Sequence, residues 1–199
     1  MSASEAETTR RRTPPRESRD SDATLMARIR ARDVAAFEEL YRSYRGRLSR
    51  FVLRLVRRPH LVEEVLNDTL VVVWNRADSF NGQSKLSTWI FAIAFRTALK
   101  ALRKQDDPVE DTAATERASL DPTPEDEFER QSTQAILHRA IGELSPEQRA
   151  VVEFTYFHEM GYREIAEIMA CPVDTVKTRM FHARRHLKRR LSGELLDWL

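Results

Sequence analysis

Near the C-terminal end, Lys177, Arg179, Arg184, Arg185, Lys188, Arg189 and Arg190 crowd together with no carboxylate among them. Cations at this density suit a polyanion. Guanidinium and ammonium groups neutralise phosphates, and a well-aimed Lys or Arg donates to guanine O6 and N7 in the DNA major groove. The residues before them supply a frame. Ile165, Ala166, Met169, Val173, Val176 and Met180 are spaced to pack two helices at a steep angle, Ala166 is small enough for a close crossing, and Ala170-Cys171-Pro172 makes the turn. That is helix-turn-helix geometry, whose second helix enters the groove with its N-terminal residues on base edges. Thr175, Lys177, Thr178, Arg179, Phe181 and His182 are thereby expected to approach the bases, with Arg184, Arg185, Lys188 and Arg189 on phosphates.

Other chemistries fare worse. His182 and His186 stand four apart, but no third metal ligand is near and a basic face repels cations. His158-Glu159 lacks the second histidine of a zinc-protease motif. Cys171, the single cysteine, allows no intrachain disulfide and points to a reducing compartment. In the turn it reads as a packed small residue. No glycine-rich phosphate loop or serine-histidine-acid pattern stands out, so neither an enzyme nor a cofactor is expected.

The elements that must hold these residues are helical. Val34, Phe37, Leu40, Tyr41, Tyr44, Leu48, Phe51, Val52 and Leu55 follow the three-and-four spacing of one buried face. After Arg58-Pro59, Leu61, Val62, Val65, Leu66, Thr69, Leu70, Val73 and Trp74 predict a second helix. A third follows, with Ser87 as N-cap and Trp89, Ile90, Ile93, Ala94, Thr97, Ala98 and Leu102 on its buried side. A short helix near Ala23 to Ile29 completes that lobe. In the second lobe, Ile136, Leu137, Ala140, Ile141 and Leu144 share a face. Ser145-Pro146-Glu147-Gln148 is a capping box with proline at the first helical position, opening a helix expected to stop near Gly161. Tyr162 to Met169 is a short helix, and Pro172 opens the last.

The 199 residues are 41% hydrophobic and 32% charged, with a net charge of +2. Within this near-neutrality the charge is segregated: between residues 106 and 130 only Arg117 and Arg130 stand against a run of acids. That stretch also holds Pro108, Pro122 and Pro124, and cannot bury a core. The expected organisation is all-α. It comprises a disordered basic tail (1–22), a helical domain (23–104), an acidic flexible linker (105–127), a helix-turn-helix domain (128–191) and a C-terminal tail (192–199). No run long enough to cross a membrane is present, and the N-terminus lacks the apolar core of a secretory signal.

Three stretches carry a resemblance: "FEELYRSYRGRLSRFVLRLVRR", "EEVLNDTLVVVWNRADSFNGQSKLSTWIFAIAFRTAL" and "LSPEQRAVVEFTYFHEMGYREIAEIMACPVDTVKTRMFHARRHLKR". In this order, with an acidic linker between, they resemble regions 2 and 4 of an extracytoplasmic-function (ECF) sigma factor. The resemblance implies a bacterial initiation factor that binds core RNA polymerase and directs it to promoters. By it, the helix-turn-helix reads the −35 element as duplex. Phe80, Asn81, Gly82, Gln83, Ser84 and Lys85 match the loop that captures flipped bases of the −10 non-template strand, flanked by Trp89, Arg96 and Lys100. Aromatic and basic groups together are what single-stranded DNA requires. Family members often carry asparagine and aspartate at the positions of Arg96 and Lys100, and phenylalanine at that of Leu70.

Asn67, Asp68, Val71, Val72 and Asn75 lie on or beside a face of the second helix that its core does not use. Surplus apolar area next to polar groups suggests a partner surface, and the resemblance makes that partner the clamp helices of the largest catalytic polymerase subunit. It also implies an anti-sigma factor as a further partner and a cytoplasmic location for this chain. Two readings compete: a helix-turn-helix regulator acting without polymerase, against which the 80–85 loop speaks, and an interaction adaptor, against which the retained basic residues speak.

Overall fold

A computed structural model describes residues 16–106 and 133–196, and every regular element within them is helical. In order they are α1 (Arg16–Arg30), α2 (Val34–Val56), α3 (Pro59–Asn75), a single 3-10 turn (Ala77–Ser79), α4 (Leu86–Asp106), α5 (Thr133–Gly142), α6 (Pro146–Tyr156), α7 (Tyr162–Met169) and α8 (Val173–Leu196). Helices α1–α4 make one lobe and α5–α8 the other. Apart from Gln105 and Asp106, which close α4, the expected acidic linker lies outside the described residues.

Helix ends follow local chemistry. Asp33 caps α2 by accepting the Ala36 N–H at 3.1 Å, and Arg57, left-handed at φ 54°, ends it with its N–H on Leu53 O. Pro59 opens α3, where its missing N–H costs nothing. At α6 the expected capping box is present. Ser145 Oγ accepts the Gln148 N–H and Gln148 Oε1 accepts the Ser145 N–H, both at 3.2 Å.

Several boundaries differ from expectation. Helix α1 begins at Arg16, inside the stretch expected to be a disordered tail. Met26 and Ile29, both 0% exposed, anchor its C-terminal half in the core, and the helix extends back to just after Pro15. Helix α4 begins at Leu86 with the Trp89 N–H on Lys85 O, so Lys85 rather than Ser87 precedes it. Helix α6 ends at Tyr156 instead of near Gly161. Phe157 and His158 both donate to Glu153 O, and left-handed Glu159 (φ 51°) turns the chain away. Helix α8 runs on to Leu196, beyond the expected boundary at 191. Val34, expected on the buried face, is 70% exposed at the first turn of α2.

The two lobes share one core. Phe51 of α2 stacks on Phe154 of α6 at 4.8 Å between centroids, and Phe91 of α4 meets His158 at 4.5 Å. Phe51, Phe91 and Phe154 are each 0% exposed, and burial of each ring contributes about 1.5–3 kcal/mol. Polar groups line the same seam. Glu153, 2% exposed, is ion-paired to Arg54 at 3.2 Å. Arg149 donates across the seam to Leu55 O and, within its own lobe, to Gly142 O at 3.0 Å and Leu144 O at 2.8 Å. Burial, reinforced by Arg57, pushes the Arg149 pKa down to about 10. Among the described residues no buried side-chain nitrogen or oxygen lacks a partner, as a seam containing charges requires.

Candidate nucleic-acid interface

The turn between α7 and α8 is made at Ala170, which adopts φ 49° after α7. Its N–H reaches Glu167 O and the Cys171 N–H reaches Ala166 O. A left-handed non-glycine residue costs about 1–2 kcal/mol. Burial of Ile165, Ala166, Ile168 and Met169 against Val176, Met180 and Ala183 offsets it. With that face of α8 committed inward, Thr178, Phe181, His182, Arg185, Lys188 and Arg189 are left exposed at three-and-four spacing along the opposite side. Phe181 is 61% exposed and lies under the Arg185 guanidinium at 6.0 Å.

The remaining basic-helix residues are placed differently. Lys177 is exposed and ion-paired to Asp174 at 2.9 Å, while the Thr178 hydroxyl donates to Asp174 O. Arg184 donates twice to the Tyr156 hydroxyl, at 3.2 and 3.0 Å. Thr175 and Arg179 are half-buried, and Arg179 lies along the turn against Cys171 Sγ at 3.5 Å. Spacing alone put Arg179 beside Lys177 on the approach to DNA; the helix rotation turns it toward the motif's own turn. His186 and Arg190 both engage Glu143 of the α5–α6 turn. Hydrogen bonding to Arg190, then to His186, holds the Glu143 carboxyl below its ordinary range.

In the first lobe the 80–85 loop divides into an anchor and a tip. Phe80 is 5% exposed and packs on half-buried Trp89 at 5.6 Å. Its ring therefore anchors the loop instead of facing a base. Asn81, Gly82 and Gln83 are exposed. The Gln83 N–H closes on Asn81 Oδ1 at 3.0 Å, with Gly82 at φ +73°, a conformation that favours glycine. Ser84 and Lys85 are half-buried. Further along α4, Arg96 and Lys100 are exposed one turn apart, and partial burial together with Arg76 holds the Arg96 pKa down.

On α3, Val71 is 56% exposed while Val73 is 0% exposed. Asn67, Asp68 and Asn75 are exposed beside Val71, with Val72 half-buried. The polar and apolar surface expected there forms one continuous stripe of the helix.

Two contributions were not visible in the pattern. Glu164 of α7 accepts from Lys85 Nζ at 2.8 Å and from the Thr88 hydroxyl at 2.7 Å, tying the end of the 80–85 loop and the first turn of α4 to the helix-turn-helix. Arg30 of α1 donates to Ala77 O at 3.2 Å and to Phe80 O. These pairs are far apart in sequence and follow no periodicity.

Profiles of two families match the chain: "Sigma-70 region 2" over residues 40–107 and "Sigma-70, region 4" over residues 134–187. The "ECF RNA polymerase sigma factor RpoE" of Cereibacter sphaeroides is 32% identical over 170 residues, covering 84% of this chain and 93% of that protein. The chain belongs to the ECF sigma factors. The "ECF RNA polymerase sigma-E factor" of Escherichia coli K12 is similar at 30% identity over 174 residues, 82% of this chain and 91% of that one. Two solved structures share the fold. One is CnrH in complex with the cytosolic domain of CnrY (TM-score 0.64, 22% identity, 87% of this chain and 99% of that chain). The other is the sigma factor RpoE in complex with the anti-sigma factor NepR from Bartonella quintana (TM-score 0.58, 23% identity, 78% and 96%). This sigma factor is accordingly a subunit that directs RNA polymerase to promoters. Among its described residues no helix is long and apolar enough to cross a membrane.

Proposed function

We propose that the exposed side of α8 reads the −35 element as duplex and that the 81–85 loop holds single-stranded −10 bases. The observation that carries this is the contrast between two surfaces on one chain: an exposed cationic helix face, and a small polar loop anchored by a buried ring. Thr178, Phe181 and His182 lie at the base-reading end, flanked by Lys177. Arg185, Lys188 and Arg189 lie further along, at the height of phosphates. In the loop, Asn81 and Gln83 offer donors and acceptors to a flipped base, Trp89 an edge for stacking, and Arg96 and Lys100 a track for the strand. Asn67, Asp68, Val71, Val72 and Asn75 dock on the clamp helices of core polymerase. The protein is a non-enzymatic factor of the cytoplasm. Residues 23–104 and 128–191 act as its two functional units, joined by the acidic linker.

The closed arrangement of the lobes is a resting form in this reading. Elements named −35 and −10 are roughly 25 base pairs apart, about 85 Å of duplex at 3.4 Å per base pair. A domain of about 90 residues has a radius of gyration near 12 Å, so two lobes sharing a core cannot span that distance. Lys85 is also engaged by Glu164. Binding to core polymerase must therefore separate the lobes before both elements are read. By analogy with the neighbours solved as complexes with CnrY and NepR, an inhibitory partner is expected to hold this chain in a state that cannot reach DNA.

The deciding experiment is in vitro transcription with purified core polymerase and start-site mapping. Defined starts that depend on the protein, and a −35 preference that changes in Lys177→Ala and His182→Ala, are the expected result. Core polymerase showing no start-site selection on addition of the protein would overturn the reading.

A further inference from the structure

Helix α1 ends ten residues before the matched region-2 segment, which begins at residue 40, yet it delivers a guanidinium to the loop described above. We infer that Arg30 is a positioning residue for the −10 loop, setting the direction in which Asn81, Gly82 and Gln83 leave the folded core. The inference rests on that loop being the base-capturing element.

The geometry is specific to an arginine. Arg30 Nε donates to Ala77 O at 3.2 Å and Nη2 donates to Phe80 O. One planar fork thus bridges both ends of the 3-10 turn, whose own closing bond runs from the Phe80 N–H to Ala77 O at 3.3 Å. Five donors in a fixed plane can hold two carbonyls at a set separation, whereas a lysine ammonium is a single point donor on a flexible stem. Phe80 is consequently held twice, by its ring against Trp89 and by its carbonyl on Arg30. The next peptide begins the exposed tip, so the orientation of that carbonyl fixes where the tip points.

The brace is rigid at its other end. Ile29, beside Arg30, and Met26, one turn earlier, are both 0% exposed, and α1 cannot slide without disturbing the core. Arg32 repeats the device one step upstream. Its Nη1 donates to Trp74 O at 3.2 Å, near the C-terminus of α3, and its guanidinium sits 5.2 Å from the Trp74 ring centroid. Cations on the last carbonyls of a helix also complement its dipole. Together the two arginines fix the end of α3 and the turn after it, which is the base from which the loop springs. Capture of a flipped base requires its contacts to be placed within about 0.5 Å, and a loop tip with exposed residues cannot supply that tolerance unaided.

The test uses the full chain with core polymerase and compares Arg30→Ala, Arg30→Lys and, as a control on the loop itself, Gln83→Ala. Readouts are open-complex yield, transcription from promoters with single-base changes in the −10 or −35 element, thermal melting, and amide exchange at residues 80–85. Arg30→Ala is expected to lower open-complex yield by about five- to tenfold, the scale of lost charge-assisted hydrogen bonds. It should also flatten −10 discrimination and speed exchange in the loop, while −35 discrimination and holoenzyme assembly stay unchanged. Arg30→Lys should recover part of the yield. If Gln83→Ala alters −10 discrimination and Arg30→Ala does not, the positioning role is refuted and the loop assignment stands. If neither alters it, both fall. Losses at −35 equal to those at −10, in step with a lowered melting temperature in both arginine variants, would reduce Arg30 to a fold-stabilising residue and overturn the inference.

Discussion

His158 provides a quantitative probe of the seam between the lobes. Its ring lies 4.5 Å from Phe91, 6.0 Å from Phe154 and 6.1 Å from Phe51. Burial, with Arg47, Arg54 and Arg50 of α2 adding to it, pushes the imidazole pKa from 6.5 down to about 4. The acids in this neighbourhood are exposed Glu159 and the carboxyl of Glu153, the latter already paired to Arg54. For a base with a depressed folded-state pKa, the unfolded chain takes up the proton first. Stability is therefore complete above about pH 6.5, declines as pH falls through the window toward 4, and levels off below it. The full displacement is worth about 3.4 kcal/mol at 1.36 kcal/mol per unit. The ring is only half-buried, so solvent screening reduces this to about 1–2 kcal/mol. Urea unfolding of the wild type and of His158→Gln at pH 7.5, 6.5, 5.5 and 4.5 measures it. The difference between the proteins matters, because Glu153 works oppositely: burial raises its carboxyl pKa, and that adds stability as pH falls. The wild type is expected to lose about 1–2 kcal/mol more than His158→Gln between pH 7.5 and 4.5. Equal slopes would mean the imidazole protonates freely in the folded protein, and the sealed aromatic seam would be refuted.

Other outcomes follow from single contacts. Phe154→Ala removes a fully buried ring touching Phe51, Phe91, Phe95 and His158, and should cost about 3–5 kcal/mol in denaturant unfolding; a loss under about 1 kcal/mol would mean the seam is open in solution. Ser145→Ala removes the hydroxyl that accepts the Gln148 N–H in the capping box on α6 and should cost about 1 kcal/mol, read in the same titration. Asp68→Lys, on the exposed stripe of α3, should weaken association with core polymerase in a pull-down titration while leaving the melting temperature unchanged. Unaltered assembly would count against that surface.

Some of this protein was settled by the order of its residues. The helices over Leu40 to Leu55 and Leu61 to Val73, the Ser145 capping box and the Ala170-Cys171-Pro172 turn all follow from interactions within four or five positions, and those act before any tertiary contact exists. The exposed valine on α3 was legible for the same reason: a helix carries more apolar surface than one core face covers, and Val71 is left outside. The charges and rings that take their role from a distant partner were not legible. Arg149 and Glu153 look like solvent-facing residues of α6 until α2 supplies Leu55 O and Arg54. Phe80 reads equally as a base-stacking or a core ring until α4 brings Trp89 against it. Arg179 reads as groove-facing until helix rotation turns it to Cys171, and Arg30 has no visible purpose until the turn after α3 folds against α1. Periodicity reports which face of a helix is buried, whereas the partner that arrives on that face is chosen by packing between segments dozens of residues apart. Only the folded chain fixes that choice.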